Sequence, residues 1–426
     1  MLEDEPLNGF TGFARKGKAQ FQYSRAAEQA AQEARTEFGE EFLSSIPATD
    51  RRWAWVEISL DAIRHNTIQA KQRLRAGVRL MAVVKADAYG HGAVECAKTA
   101  LSSGADNVGV ATVDEAVQLR DAGVTVPILV LSEPPEEAVP LLLAKRITPT
   151  VFSPEFALAY GELADLHGMK APFHLAVNTG MNRIGVRAED VIEFERQVNF
   201  HRALVHEGTF THFATADSGD TIDFNMQVRR FVDALGALQA AGIDPGIVHA
   251  ANSAALFRFP DVHFNMARLG IALYGYHPCE QTRGAVDLRP AMAVKARITA
   301  AKTVPMSEGV SYGLHYRSPG SVKICTVPIG YADGLNRALS GQVDFILNGQ
   351  YVRQVGTICM DQCMFEVDLR SFGTRERLDP QVGDVVTIVG RDGNAETTIT
   401  DMARFLRTID YEVACNFSLR LPRVFV

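Results

Sequence analysis

The chain has no long apolar run: no segment approaches the roughly eighteen uninterrupted apolar residues that a helix needs to cross a bilayer. Its opening, Met1 to Phe10, is acidic and lacks the basic stretch and apolar run of a secretory signal, so a cytoplasmic protein is expected. Basic excess is missing too. With 43 Lys and Arg against 50 Asp and Glu the formal charge is −7, which leaves no electrostatic footprint for nucleic acid. Cysteine is scarce, and Cys96, Cys279, Cys325, Cys359, Cys363 and Cys415 show none of the short repeated spacings of a disulfide framework. Cys359 and Cys363 form a lone C-x3-C with no second ligand pair nearby, so no metal site is expected. Neither a solenoid-period repeat nor a long low-complexity tract is present.

What the chain does have is length and alternation. Its 426 residues, 47% of them hydrophobic and 22% charged, suffice for two globular domains. Residues 1–52 read as an appended extension: Ser24 to Phe42 is rich in helix formers but too poor in apolar residues to build a core. From Trp53, short β-rich runs alternate with helix-period stretches. Strands are predicted at 78–84, 108–112, 127–131, 148–152, 173–177, 208–213, 247–251 and 265–274. Helices are predicted at 61–75, 93–102, 114–122, 136–144, 154–167, 189–200 and 223–241, with a shorter one after Asn252. Asp61 and Asp114 are candidate N-caps, and Gly77, Gly104, Gly123, Gly168 and Gly242 stand where C-terminal glycines belong. This alternation predicts an α/β fold, a (β/α)8 barrel over residues 53–285. Beyond about Pro290 the helical period fades, and strands at 294–298, 322–328, 343–347, 350–355, 364–369 and 385–389 predict a mainly β domain over 286–426.

In a (β/α)8 barrel the chemistry lies at the carboxyl ends of the strands. Lys85 directly follows the first of them, where an ammonium is costly to bury. It is either a lysine whose stem snorkels to water or an amine of lowered pKa suited to a Schiff base. Asn252, Ser253 and the backbone of Gly270 and Ile271 follow strands seven and eight, where barrels often bind phosphate; helix capping by Asn252 and Ser253 is compatible with that role. His212 alone reads as an interior histidine, and Arg268 alone as an ion-pair partner. A Schiff-base lysine facing a phosphate cup in one barrel is the combination that points to pyridoxal phosphate.

The segment 83–92 (VVKADAYGHG) closely resembles the cofactor-lysine motif of alanine racemases. The resemblance continues through 179–185 (TGMNRIG), 211–214 (THFA), 249–253 (HAANS), 268–271 (RLGI), 310–313 (VSYG), 358–362 (ICMDQ) and 409–412 (IDYE), and so spans Trp53 to the C-terminus. It implies a pyridoxal-phosphate enzyme that interconverts L- and D-alanine, supplies D-alanine for cell-wall peptidoglycan, and works as a homodimer with active sites shared between chains. Under this resemblance Lys85 carries the cofactor as a Schiff base, and Tyr89, Ser253, Tyr411 and the backbone of Gly270 and Ile271 hold its phosphate, with Asn252 close by. Leu131 and His212 flank the ring, and Arg268 faces the ring nitrogen, disfavouring its protonation. Arg183 touches the ring hydroxyl and the substrate carboxylate, while Tyr312, Met360 and Asp361 reach the substrate from the partner chain. Racemisation removes a proton from one face of the α-carbon and delivers one to the other, so the resemblance makes Lys85 and Tyr312 the two bases. His212 linked to Arg268 is the network expected to lower the pKa of Tyr312.

One position departs from the family. Many alanine racemases carry, before the Thr-Gly-Met motif, a lysine that is carbamylated and orients the arginine; here that position is Ala176, with Asn178 where aspartate is common. Arg183 is then expected to be positioned by Asn178, by chloride or by another anion. A serine or broad-specificity racemase is the alternative reading, since relatives of broader range also lack the lysine. A decarboxylase of the same barrel class is disfavoured by Arg268, and a non-catalytic carrier of the cofactor by the second domain with Tyr312, Met360 and Asp361.

Overall fold

The computed structural model describes residues 45–198, 201–368 and 378–426. The helix-forming stretch Ser24 to Phe42, the last two residues of 189–200 and the end of the strand at 364–369 lie outside the described residues. Residues 45–51 hold a short helix, Ala48–Arg51.

In chain order the first ten strands are β1 (Ala54–Ile58), β2 (Arg79–Val83), β3 (Asn107–Val110), β4 (Ile128–Val130), β5 (Thr148–Val151), β6 (Ala171–Asn178), β7 (Val186–Arg187), β8 (Leu204–Phe210), β9 (Ile247–His249) and β10 (Met266–Leu269). Among the described residues β2, β3, β4, β5, β6, β8, β9 and β10 pair in that order, all parallel, and β10 returns to β2 to close an eight-stranded barrel. Such strands are covered on both faces, which is why β3 and β4 are buried along their whole length.

The helices between them end as the sequence predicts: Gly77, Gly104, Gly123, Gly168 and Gly242 all have positive φ. Two starts differ. Ser59, not Asp61, caps helix Leu60–Arg73, its Oγ accepting from Ala62 N at 3.2 Å. Thr112, not Asp114, caps Val113–Asp121, because Glu115 three residues on returns a bond to Thr112 N and completes a capping box. The eighth barrel strand stops at Leu269 rather than running to 274: Gly270 N turns to Ser253 Oγ at 2.9 Å and the chain enters a tight turn, Ile271–Tyr274.

The second sheet follows with β11 (Met292–Arg297), β12 (Ala300–Val304), the small hairpin β13 (Gly309–Val310) and β14 (Tyr316–Arg317), β15 (Val322–Val327), β16 (Asp344–Leu347), β17 (Gln350–Val355), β18 (Cys363–Asp368), β19 (Val385–Asp392), β20 (Ala395–Thr397) and β21 (Arg423–Phe425). Its order is β12, β15, β18, β17, β16, β19, β11, β1, β21, with β20 on β19. β1, counted with the barrel when the sequence is divided at residue 53, therefore belongs to this sheet, antiparallel to β11 and parallel to β21. Two helices also interrupt the β pattern near the C-terminus, Ile399–Leu406 and Asp410–Asn416; at eight and seven residues they span about two turns each, too little for a clear 3.6-residue period.

Candidate active site

A cavity of about 630 Å³ opens at the carboxyl ends of the barrel strands. Lys85, Tyr89, Leu131, Arg183, His212, Asn252, Ser253, Arg268, Gly270, Ile271 and Tyr411 all line it. The structure thus brings together every residue expected from the first chain, including Tyr411, which arrives from the C-terminal helix Asp410–Asn416.

The residues after Lys85 hold an unusual backbone. Ala86, Asp87, Ala88 and Tyr89 have φ between 50° and 55°, a left-handed turn that costs about 1–2 kcal/mol per residue for side chains with a Cβ. It is held by compensating bonds: Glu115 Oε1 accepts from Ala86 N at 2.6 Å, Asp87 Oδ1 from Ala93 N at 2.8 Å, and the Arg423 guanidinium donates to Gly90 O at 2.9 and 3.1 Å. His91 Nδ1 bonds the carbonyls of Ala88 and Tyr89, both at 3.0 Å. The Tyr89 ring packs on Tyr274, whose hydroxyl donates to Val83 O at 2.8 Å. Desolvation lowers the pKa of the Lys85 amine, Arg183 adds to that, and Glu115 opposes it. A half-buried amine of lowered pKa is suited to nucleophilic and base chemistry, so the snorkelling alternative for Lys85 is the weaker one.

Arg268 lies buried across the cavity floor. Its Nη2 donates to the carbonyls of Thr211 (2.8 Å) and Ala250 (3.0 Å) and to His212 Nδ1 (3.2 Å), and its Nη1 to His249 Nδ1 (2.8 Å) and His249 O (3.2 Å). Desolvation, and after it Arg183, lowers its pKa to about 9. A guanidinium only donates, so His212 presents an unprotonated Nδ1 and carries its proton on Nε2. Desolvation, then Arg268, Arg183 and Lys85, push the His212 pKa down to about 3, so the ring is neutral at physiological pH.

After β9, Asn252 Oδ1 caps helix Ser253–Arg258 by accepting from Ala255 N at 3.0 Å. Ser253 Oγ accepts from Gly270 N and from Ala272 N. A Cβ added at Gly270 would sit 3.1 Å from Tyr89 Oη and 3.6 Å from Ser253 Oγ, so the glycine keeps a cradle open between these hydroxyls. Three hydroxyls, those of Tyr89, Ser253 and Tyr411, with the Gly270 and Ile271 N–H groups, the first of which is given to Ser253 Oγ here, make up the donor set expected for a phosphate.

Tyr312, Met360 and Asp361 do not join this cavity. They line a separate hollow on the second domain with Ser311, Cys359, Gln362 and Met364. Tyr312 is 72% exposed and Met360 52%. Ser311, at φ 69°, fixes the turn that projects Tyr312, its Oγ donating to Thr357 O at 2.6 Å while Thr357 Oγ1 donates to Tyr312 O at 3.0 Å. Asp361 is ion-paired with Arg420 at 2.6 Å.

Asn178 does not reach Arg183. Its Oδ1 accepts from Gly180 N (3.1 Å) and Asn182 N (3.0 Å) and its Nδ2 donates to Asn182 Oδ1 (3.0 Å), so it braces the loop instead. Three residues were not anticipated. Glu115 supports the lysine turn, and buried Gln227 braces the loop after β8 through Ala214 N, Thr179 Oγ1 and His212 O. His249, the first residue of the segment 249–253 (HAANS), bonds Arg268. A histidine amid an apolar strand end was the available signal for the last; nothing local marks the other two.

Fold and cavity define a barrel enzyme with a second, mainly β domain, whose site pairs a half-buried amine with an arginine floor and a hydroxyl-lined cup. Residues 58–278 match the family model "Alanine racemase, N-terminal domain" and residues 291–425 "Alanine racemase, C-terminal domain". The chain belongs to the alanine racemase family. It is 43% identical over 375 residues to the alanine racemase of Desulfovibrio desulfuricans, covering 88% of this chain and 98% of that one. The alanine racemase of Bacillus anthracis, solved with bound L-Ala-P, superposes with a TM-score of 0.82 at 38% identity, covering 88% of this chain and 95% of that one. A histidine racemase from Leuconostoc mesenteroides shares the fold at 30% identity and a TM-score of 0.79, with 88% and 98% covered.

Proposed function

We propose that this protein racemises alanine with pyridoxal phosphate bound between Lys85 and the cup of Tyr89, Ser253, Tyr411, Gly270 and Ile271. The observation that carries the reading is the pairing, in one cavity, of an amine of lowered pKa with a buried arginine and a donor-rich cradle. These residues fit the group: the cradle held open at Gly270 suits its phosphate, and Arg268, which can only donate, suits an unprotonated ring nitrogen. When bound, the cofactor supplies an electron sink that acidifies the α-proton of an amino acid.

The chain's own side chains supply the rest. The lowered pKa of Lys85 suits proton transfer at one face of the α-carbon. Tyr312 serves the other face from a second copy of the chain, with Met360 and Asp361 beside it; in support, all three are exposed together on the second domain and apart from Lys85. Leu131 and His212 flank the ring, Asn252 fixes the cup through its helix, and Arg183 binds the substrate carboxylate. Relatives named alanine racemase favour alanine over serine or a broader range, and D-alanine for peptidoglycan is the consequent cellular role.

The test is reduction with borohydride after reconstitution with pyridoxal phosphate, followed by peptide mapping. The cofactor should be fixed on Lys85 of a yellow protein that loses the optical activity of L- or D-alanine. A colourless protein of full activity would overturn the reading.

A further inference from the structure

A short turn of the second domain, Gly330 to Gly334 (GYADG), is pressed between the loop holding Met360 and Asp361 and the end of the helix holding Tyr411. On the loop side, Tyr331 N donates to Cys359 O and Ala332 N to Met360 O, both at 3.0 Å. A Cβ at Gly330 would lie 2.3 Å from Cys359 O, which leaves no room for a side chain. On the helix side, a Cβ at Gly334 would lie 2.2 Å from Asn416 O, and Ser418 N donates to Asp333 O at 2.9 Å.

Asp333, within this turn, is fully buried. A buried carboxylate is costly unless charges and donors surround it, and here Oδ2 accepts from Gly330 N at 3.0 Å while Oδ1 meets Arg52 Nη2 and, at 3.3 Å, Arg420 Nε. The two arginines lie side by side because Arg52 precedes β1 and Arg420 precedes β21, and these strands run parallel with Val56 opposite Arg423. Neighbouring guanidiniums repel, and Asp333 is the carboxylate that joins them. Arg420 then reaches outward, its Nη2 holding Asp361 Oδ1 at 2.6 Å. A line of alternating charge thus runs from Arg52 through the buried Asp333 and Arg420 to the exposed Asp361. Tyr312 is anchored separately, by Ser311 and Thr357.

We infer that Asp333 is a positioning residue that fixes Met360 and Asp361, through the backbone of its turn and through Arg420, for the site of a second copy of the chain. The inference rests on the proposed function, in which those two residues stand beside the substrate of the neighbouring chain. Because Tyr312 has its own anchor, loss of the Asp333 charge loosens the surroundings of the substrate without removing the base. The effect falls on binding rather than on the chemical step.

The experiment uses full-length protein loaded with pyridoxal phosphate, as wild type and Asp333→Asn, which keeps an acceptor for Gly330 N and drops the charge between the arginines. KM for alanine should rise about tenfold, the equivalent of one lost hydrogen bond to a charged group, while kcat stays within about twofold. A merely structural role would lower Tm and leave KM alone, so a wild-type KM overturns the inference whatever happens to Tm. Should Asp333→Asn fail to fold, Arg420→Gln, at an exposed position, takes its place under the same criterion. The direction of action is read in the purified heterodimer of Asp333→Asn with Lys85→Ala. One of its sites pairs the intact lysine with an intact loop, so KM should return to the wild-type value at about half the wild-type kcat. If KM stays raised there while Lys85→Ala and Tyr312→Phe chains restore one another, Asp333 acts within its own chain and the inference falls. If that second pair forms heterodimers and stays inactive, the shared site of the proposed function falls instead, so the two failures are distinct.

Discussion

Gly90 stands against the carbonyl of Ala414: a Cβ on this residue would lie 2.8 Å from Ala414 O, and its φ is +81°. The contact joins the left-handed turn carrying Lys85 and Tyr89 to the helix carrying Tyr411. Gly90→Ala therefore combines backbone strain with a steric push on that helix, and a loss of about 1–3 kcal/mol is expected. Thermal unfolding should show a lowered Tm, and titration with pyridoxal phosphate a weaker Kd. If both stay at wild-type values, the two elements are not clamped at this point.

Buried neutral histidines, His91 and His212 among them, should make the fold acid-labile. Desolvation pushes His91 down to about 4 and His212 to about 3, against an unfolded value near 6.5. As pH falls the unfolded chain takes up these protons first, so the stability is intact above about pH 6.5 and drains away towards pH 3–4. Each group contributes a slope of up to about 1.4 kcal/mol per pH unit. His91→Gln, which can still donate to the carbonyls of Ala88 and Tyr89, should show a shallower fall of Tm between pH 6.5 and 4 than the wild type. Equal slopes would mean that His91 takes no part in the acid transition.

The barrel and the contents of its mouth were legible because they rest on local patterns. Period-2 and period-3.6 runs, C-terminal glycines and residues directly after strands are properties of neighbouring positions. What was not legible depends on pairings distant in sequence. β1 joins the second sheet because β11 and β21 flank it, more than 230 residues away along the chain. Asn178 looks free to serve Arg183 until the loop folds back and Asn182 engages it. Asp333 reads as one acid in a glycine-flanked turn, and its setting comes from Arg52 and Arg420, which the pairing of β1 with β21 brings together.

Arg183 lines the cavity with Ala176 where a carbamylated lysine is common, and Asn178 is occupied by its own loop. The remaining reading is a small anion beside Arg183. Activity should be independent of dissolved carbon dioxide and should rise with chloride. Asn178→Asp keeps both backbone acceptances and loses the donation to Asn182 Oδ1, which a turn of the Asn182 amide replaces with a bond from its Nδ2, so the variant should fold; its added charge repels an anion, and the chloride response should weaken several-fold. A wild-type response in this variant would remove the anion from consideration.

If Tyr312 serves a neighbouring chain, two dead proteins should repair each other. Lys85→Ala and Tyr312→Phe are each expected to be inactive. Mixed under conditions that exchange subunits, they should regain up to about half the wild-type activity per heterodimer, because one of its two sites then holds both intact bases. Heterodimers that form without any activity would show that both bases come from one chain.

The exposed phenol of Tyr312 also permits a test of which face each base serves. Tyr312→Phe removes one oxygen from a residue that is 72% exposed and whose turn is fixed by Ser311 and Thr357, so folding and cofactor binding should be preserved. Racemisation should fall by at least about two orders of magnitude, the usual contribution of a positioned proton donor. Exchange of the α-proton with deuterated solvent should behave differently. The enantiomer whose proton faces Lys85 can be deprotonated and reprotonated on that same side, so its exchange should survive while its configuration is retained. The other enantiomer presents its proton to the missing phenol and should not exchange. Mass spectrometry of recovered L- and D-alanine reads this directly, and the Lys85 variant cannot serve as the control because it also loses the cofactor attachment. Equal exchange into both enantiomers in Tyr312→Phe would mean that water or one mobile base reaches both faces, and the assignment of Lys85 and Tyr312 to opposite faces would then fail.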